Sequence, residues 1–322
     1  MITSLGIERF KSVKRLRIDC RRINLFIGEP NTGKSNILEA LGLLSWCATG
    51  YGRIQDFVRA PMPQNLFYDS LVDEPIRIEY AGQPSGTVTV KFEHDHFMVV
   101  SGDQEIARLH FDNSQSLINN LRSAEPIKFY RFRLLDQFNS NVAGPLAPPS
   151  GSNLFSVVFT SKALRDRMAD LYRPYGLSVV MKPHEKQFEI QKQSEGIVVA
   201  YPYSMVSDTL QRALFHSVAI ASNRGAIIAF EEPEAHAFPY YTKLLGEEIA
   251  LDGNNQYFIA THNPYLLGAV LEKAKAQEVG VFVTYYRDFE TRVRPLTGNE
   301  IGEILSGDPF FMIRRFVEEK NA

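Results

Sequence analysis

The 322-residue chain has only two cysteines, Cys20 and Cys47, and neither sits at a metal-ligand spacing. Two thiols make no disulfide framework, so a reducing compartment is the simpler expectation. Long apolar runs are also missing. The longest, such as residues 279–286, fall far short of the about 20 residues that cross a bilayer. The N-terminal stretch MITSLGIERFKSVKRLRI alternates charged with apolar residues and lacks the apolar core of a secretory signal. A cytoplasmic protein with no membrane attachment is expected. Neither sign of charge dominates: 35 Lys and Arg face 37 Asp and Glu, a net charge of −2. No global field therefore draws the chain onto nucleic acid or an acidic membrane. Internal repeats and low-complexity tracts are absent. What is present fits a globular protein, because 44% hydrophobic residues can fill a sizeable core.

Residues 2–18 alternate apolar and polar and read as one or two strands with a turn near Lys11-Ser12. Residues 22–28 (RINLFIG) are a short apolar run closed by glycine, the pattern of a buried strand. Residues 34–47 then show helical spacing at Ile37, Leu38, Leu41 and Leu44. From about 75 to 111 the chain is β-rich with Gly, Pro and Asp turns, as in an antiparallel meander. Another strand is expected over 127–134. The Pro-, Gly-, Ser- and Asn-rich segment 139–153 reads as a boundary or mobile loop. An amphipathic helix over 161–172 precedes two or three strands within 178–201, turning at Glu195-Gly196. A helix over 207–222 follows. Strand-like runs at 226–230 and 256–260 are each followed by a helix-like segment, and 279–286 is the last strand. Strands alternating with helices predict an α/β fold built on a mostly parallel sheet.

The segment Gly28-Glu29-Pro30-Asn31-Thr32-Gly33-Lys34-Ser35 matches G-x-x-x-x-G-K-S without deviation. Its glycines let backbone N–H groups curl around an anion. Lys34 supplies a positive charge for the β- and γ-phosphates, and the Ser35 hydroxyl suits one position on Mg²⁺. The helix that starts behind Gly33 points its positive end at the same place. An apolar strand before the motif and a periodic helix after it complete the context for binding ATP.

Residues 226–232 form an apolar run that ends in Glu231 and Glu232. Acids at the C-terminal end of a parallel strand lie beside such a loop. One can hold Mg²⁺ through water and the other can polarise the attacking water; by order, Glu231 is the metal-side residue and Glu232 the base. A solvated acidic turn before Pro233 is the plainer alternative. Residues 259–264 (IATHNP) end a second strand in His262, placed to hydrogen-bond a γ-phosphate oxygen; a satisfied surface histidine is its alternative. Residues 128–133 (KFYRFR) interleave basic and aromatic side chains. They can stack on nucleic acid, but a sheet strand with solvated charges accounts for them better. His94 and His96 have strand spacing, with no third metal ligand nearby.

Together these residues resemble the ABC-type ATPases of the SMC, RecF and OLD group. Residues 7–12 (IERFKS) look like that family's I-x-N-F-K-S strand and turn. Asn24 to Gly28 with KSNILEAL, Glu231-Glu232-Pro233-Glu234-Ala235-His236 and Thr261-His262-Asn263-Pro264 look like its other motifs, and 144–154 (GPLAPPSGSNL) like a stretch of the OLD-like ATPases. The resemblance implies a P-loop NTPase head with a mostly parallel core sheet, an antiparallel β lobe and a small helical/β signature lobe. It implies a single head over 1–322. Lobe I takes about 1–125 plus 215–322, and lobe II about 126–214. Phe10, Lys11, residues 28–35 and Asn36 would bind nucleotide. Mg²⁺ accompanies ATP, with Ser35, Glu231 and a glutamine-loop residue, Gln137, on the metal. Glu232 and His262 would be catalytic.

Such heads close as a dimer around ATP, each phosphate loop completed by a signature from its partner. Here the signature is Ser207-Asp208-Thr209, with Ser207 capping the helix that follows. Glu234 to His236 would cross the dimer interface. The chain departs from the family in having Glu231 where Asp is usual. Its signature also lacks glycines, and Asp208 repels phosphate unless it points away. No sustained heptads separate the loop from the signature, so SMC-like arms are not expected. The roughly 60 residues after His262 leave no room for the nuclease domain of full OLD proteins. The function implied is an ATP-hydrolysing, homodimeric switch in DNA repair or anti-phage defence. Its candidate partners are a nuclease or toxin effector and DNA. A transporter motor would show LSGGQ and D-E-P-T-S in place of Ser207-Asp208-Thr209 and 232–236, and a small-molecule kinase needs neither His262 nor a signature helix.

Overall fold

The computed structural model describes residues 1–306, 313 and 315–317. The chain opens with strands β1 (Ile2–Phe10) and β2 (Val13–Asp19), paired antiparallel about a turn in which Lys11 takes a φ of 53°. Strand β3 (Ile23–Ile27) leads through the phosphate-loop motif into helix α1 (Lys34–Thr49). A short helix α2 (Ile54–Phe57) precedes β4 (Ile76–Gly82), β5 (Gly86–Glu93), β6 (His96–Ser101), β7 (Gln104–Leu109) and β8 (Gln115–Leu117). Next come β9 (Ile127–Tyr130), α3 (Leu154–Thr160), α4 (Lys162–Tyr172), and β10 (Leu177–Lys182), β11 (Gln187–Ser194) and β12 (Ile197–Pro202). The last third comprises α5 (Asp208–Ser222), β13 (Ile227–Glu231), α6 (Pro239–Leu251), β14 (Gln256–Ala260), α7 (Pro264–Lys273), β15 (Val279–Arg287), β16 (Glu290–Pro295) and α8 (Gly298–Ser306).

The described residues form three sheets. The central one runs β16-β15-β3-β14-β13-β9, all parallel except the edge strand β16. All five residues of β3 and of β14 are buried, because helices or a second sheet cover both faces. The second sheet, β2-β1-β4-β5-β6-β7-β8, is antiparallel throughout, as the alternating pattern predicts. The third, β10-β11-β12, stands between α4 and α5.

Side chains alternate across the central sheet and so feed two cores. Phe26, Ala229 and Phe258 face α1 and the antiparallel sheet, among Leu41, Trp46 and Phe129. Leu25, Ile228 and Ile259 face the other way, among Leu214, Val218, Ile249 and Val270 of the helices.

Three expectations change. The strand expected over 127–134 stops at Tyr130, and it pairs with β13 in the central sheet. Residues 127–130, expected in lobe II, thus form a strand of the central sheet. Segment 139–153 is tethered, not mobile. The buried Asn153 amide accepts from Ala147 N at 2.7 Å and donates to Val142 O and Pro145 O, while Tyr130 Oη donates to Leu146 O at 2.6 Å. The β15–β16 hairpin is additional to the expected strands.

Candidate functional site

The parallel register sets Phe26 beside Ala260 and Ala260 beside Glu231. The ends of β3, β14 and β13 thus bring the phosphate loop, His262 and the two acids together at one edge of the sheet. The loop's shape depends on Gly33, whose φ of 92° is left-handed, and a Cβ there would overlap the Thr291 side chain. Thr32 Oγ1 donates to Glu29 O at 2.9 Å and lies 2.8 Å from Thr284 Oγ1. Asn36 Nδ2 donates to Ser12 Oγ, itself 2.7 Å from Thr291 Oγ1. The β15–β16 hairpin, through Thr284 and Thr291, is the back wall of the loop.

A cavity of about 380 Å³ opens in front of residues 30–36 and is closed by Ser12, Arg59, Glu232, His262 and Tyr286. Larger grooves lie elsewhere, but this one has the chemistry of a phosphate site. Its lysine is held ready: Lys34 Nζ donates to Gly28 O at 2.9 Å and Glu29 O at 2.8 Å. Burial pushes the Lys34 ammonium down to about 8, against the opposing pull of Glu232 and Glu234.

Glu232 and His262 meet across the cavity, with His262 Nε2 3.2 Å from Glu232 Oε1. The hydrogen bond from His262 holds the Glu232 carboxyl below its usual range, helped by the charges of His262, Lys34 and Arg59. Glu232 has a φ of 43°, so the chain bends sharply after β13 and turns its side chain toward the cavity. The Glu234 side chain, in the loop 234–236 expected at a dimer interface, turns inward. Its Oε1 accepts from Thr261 Oγ1 at 2.6 Å and His262 N at 2.8 Å. This buried latch fixes the strand end that carries His262, and burial raises the Glu234 carboxyl above its usual range. Asn263 caps α7 by accepting from Tyr265 N and Leu266 N.

Glu231 does not stand open to an ion. Its Oε1 accepts from Arg59 Nη2 at 2.6 Å, and its Oε2 from Arg131 Nη2 at 2.6 Å and Nε at 2.9 Å. The same guanidiniums reach Glu39 on α1, Arg59 Nε at 2.7 Å and Arg131 Nη2 at 2.8 Å, both to Oε1. Lys11 Nζ donates to Glu39 Oε2 at 2.5 Å. Burial alone would raise the Glu39 carboxyl, but Lys11, Arg59 and Arg131 outweigh it and hold it low. Gln137, expected on the metal, is exposed in the coil after β9 and lines no part of the cavity. The residue that leaves β9 into the site is Arg131. As folded, the expected magnesium donors do not fit an ion, since of Ser35, Glu231 and Gln137 only Ser35 lines the cavity.

Two other residues expected to bind nucleotide lie outside the cavity lining. Phe10 is fully buried, a core residue at the end of β1, and Lys11 is turned onto Glu39. Ser12 is the residue of that turn that lines the cavity. Arg131 is likewise no solvated strand charge. Arg59, Glu39 and Tyr286 went unread in the sequence. Glu39 carried a signal, being an acid among the apolar residues of α1.

Ser207 occupies the N-cap position of α5 but makes no side-chain capping bond, contrary to expectation. Asp208 is neutralised by Arg212, whose Nε lies 2.7 Å away and whose guanidinium stacks on Phe132. Thr209 Oγ1 donates to His236 O at 2.9 Å, tying the start of α5 to the loop that follows the acids. Ser207 and Thr209 face an apolar groove of about 440 Å³ with Met205 and Phe238, and no signature residue lines the phosphate cavity of the same chain.

A protein-family model described as "AAA domain, putative AbiEii toxin, Type IV TA system" matches residues 162–268. No curated protein sequence matches the chain. Among solved structures, the chain is similar to an SMC head bound to the C-terminal winged-helix domain of ScpA, at 14% identity and a TM-score of 0.58. That likeness covers 94% of this chain and 99% of the other. A Pyrococcus furiosus Smc head with an extended coiled coil, bound to the C-terminal domain of ScpA, is similar at 13% identity and a TM-score of 0.51. It covers 95% and 98% of the two chains. The fold is that of the SMC head domains.

Proposed function

We propose that the chain binds ATP on residues 28–36, hydrolyses it with Glu232 and His262, and closes on a second copy of itself while ATP is bound. The observation that carries this reading is the Glu232–His262 contact of 3.2 Å at the wall of the Lys34 cavity. Glu232 stays ionised at neutral pH and suits a general base for water. Lys34 and the N-terminus of α1 receive the phosphates. His262, held by the Glu234 latch, addresses the terminal phosphate.

The cavity is a half-site. Its own signature residues lie elsewhere, so a second head would bring Ser207 and the N-terminus of its α5 to the open side. Asp208 does not oppose this, because Arg212 neutralises it. The head then divides into a nucleotide-binding lobe and a signature lobe that carries α3, α4, β10–β12 and the start of α5. The matching family model is described as an AAA domain and putative AbiEii toxin of a type IV TA system, and the similar solved heads are bound to a domain of ScpA. A switch in defence or DNA repair that hands its ATP state to an effector protein fits both.

Replacing Glu232 with Gln should abolish hydrolysis and trap an ATP-bound dimer. Light scattering at micromolar protein decides this: a variant that remains monomeric in saturating ATP overturns head-to-head closure. Phosphate release at the wild-type rate overturns Glu232 as base.

A further inference from the structure

A second cavity, of about 820 Å³, shares no lining residue with the phosphate cavity. It lies between the end of α1, the turn Arg122–Ala124, the edge strand β9 and segment 139–153. Its walls are fixed. Asn153 and Tyr130 pin residues 142–147, and Leu146 N donates to Ser222 Oγ at 3.0 Å. Arg131 N donates to Pro149 O at 2.9 Å. Tyr51 reaches over from the end of α1, where its Oη donates to Pro148 O at 3.1 Å. Residues 145–148 (PLAP) and the Tyr51 ring therefore make a preformed apolar surface.

Lys128 supplies the unmatched charge. Ile127 and Phe129 enter the core against α1, so the alternation along β9 sends Lys128 to the face of Tyr130, where the segment is tethered. The Lys128 side chain is half-buried, and its ammonium makes no hydrogen bond or ion pair among the described residues. Burial pushes it below its usual range, against the pull of Glu125. Arg122 is exposed at the mouth, so two cations face the single carboxylate of Glu125. A half-buried cation without a counter-ion, set among apolar walls, is complementary to an acid group on an apolar body.

We propose that this cavity is a second ligand site that takes a small organic anion, its acid group on Lys128 and its apolar body between Tyr51 and residues 145–148. The proposal is independent of nucleotide binding at residues 28–36. Carboxylates and phosphate monoesters share the required chemistry, and the test separates them.

Three probes of one shape serve: naphthoate, naphthyl phosphate and the neutral naphthamide, each titrated into the full chain by calorimetry. Wild-type protein should bind an acid more tightly than the amide, and the acid it prefers identifies the group that Lys128 receives. Lys128→Met keeps the length of the side chain but removes its charge. It should weaken that acid about tenfold and leave the amide within about twofold of wild type. Tyr51→Ala removes apolar wall and should weaken acid and amide alike, by about tenfold. Lys34→Ala should change none of these affinities. If Lys128→Met does not fold, Lys128→Gln carries the same expectation. An acid that binds the Lys128 variant as tightly as wild type overturns the proposal, as does a loss shared equally with the amide. A loss of the acid in Lys34→Ala also overturns it, because the probe then sits on the phosphate loop. Wild-type affinities weaker than millimolar for all three probes would show a packing gap with a solvated lysine and no ligand site.

Discussion

Lys34 resting on two loop carbonyls at about pKa 8 has a consequence for binding itself. Burial depresses this ammonium in the empty site, and bound phosphates would raise it again. Above pH 8 the empty protein carries a growing fraction of neutral Lys34, so ATP binding there should take up protons and weaken as pH rises. Calorimetry in buffers of different ionisation enthalpy measures the uptake at pH 8.5. Lys34→Arg, which does not deprotonate in this range, should show none from this position. Uptake in the variant equal to wild type would remove Lys34 as the source. Sequence reasoning reached Lys34, Glu232 and His262 because each ends or follows a strand in a recognisable string. It did not reach Arg59 and Arg131. Their role depends on which carboxylates they meet after folding, and Glu231 and Glu39 are 192 positions apart in the chain. Gln137 lies seven residues past the end of β9, exposed and outside the cavity lining.

At the scale of elements, the strands and helices around the loop were legible because buried parallel strands are continuous apolar runs and α1 is strongly periodic. The β15–β16 hairpin was only half legible. Residues 290–295 (ETRVRP) make an edge strand whose polar alternation resembles a loop. That strand matters, since Thr291 lies against Gly33. Gly33→Ala would introduce both a strained positive φ and an overlap with the Thr291 side chain. The strain should cost about 1–3 kcal/mol of stability and distort the loop enough to lose ATP binding. Adding Thr291→Ala should recover part of the lost melting temperature by removing the overlap, leaving the φ strain. A double variant no more stable than Gly33→Ala alone would show that the hairpin does not press on the loop.

The whole molecule hangs on one sheet with a core on each face. Phe258 and Ile259 are neighbours in β14 and belong to opposite cores. Truncating either removes a fully buried side chain, and Phe258→Ala should cost about 3–5 kcal/mol and Ile259→Ala about 2–5 kcal/mol. Because the strand is common to both cores, each variant should shift one and the same unfolding transition in a calorimetric scan. Two transitions, each moved by only one variant, would mean that the cores melt independently. The layered α/β architecture was readable from the order of strand and helix patterns. The attachment of β9 to the central sheet was not, since pairing partners are invisible in a four-residue strand that includes Lys128.

The threonine wall behind the phosphate loop also has a history in time. Thr284 and Thr291, which brace Thr32 and crowd Gly33, are made more than 250 residues after the loop residues they support. Glu232 and His262 are synthesised in between. A growing chain therefore carries the loop residues through that whole interval without the side chains that shape them.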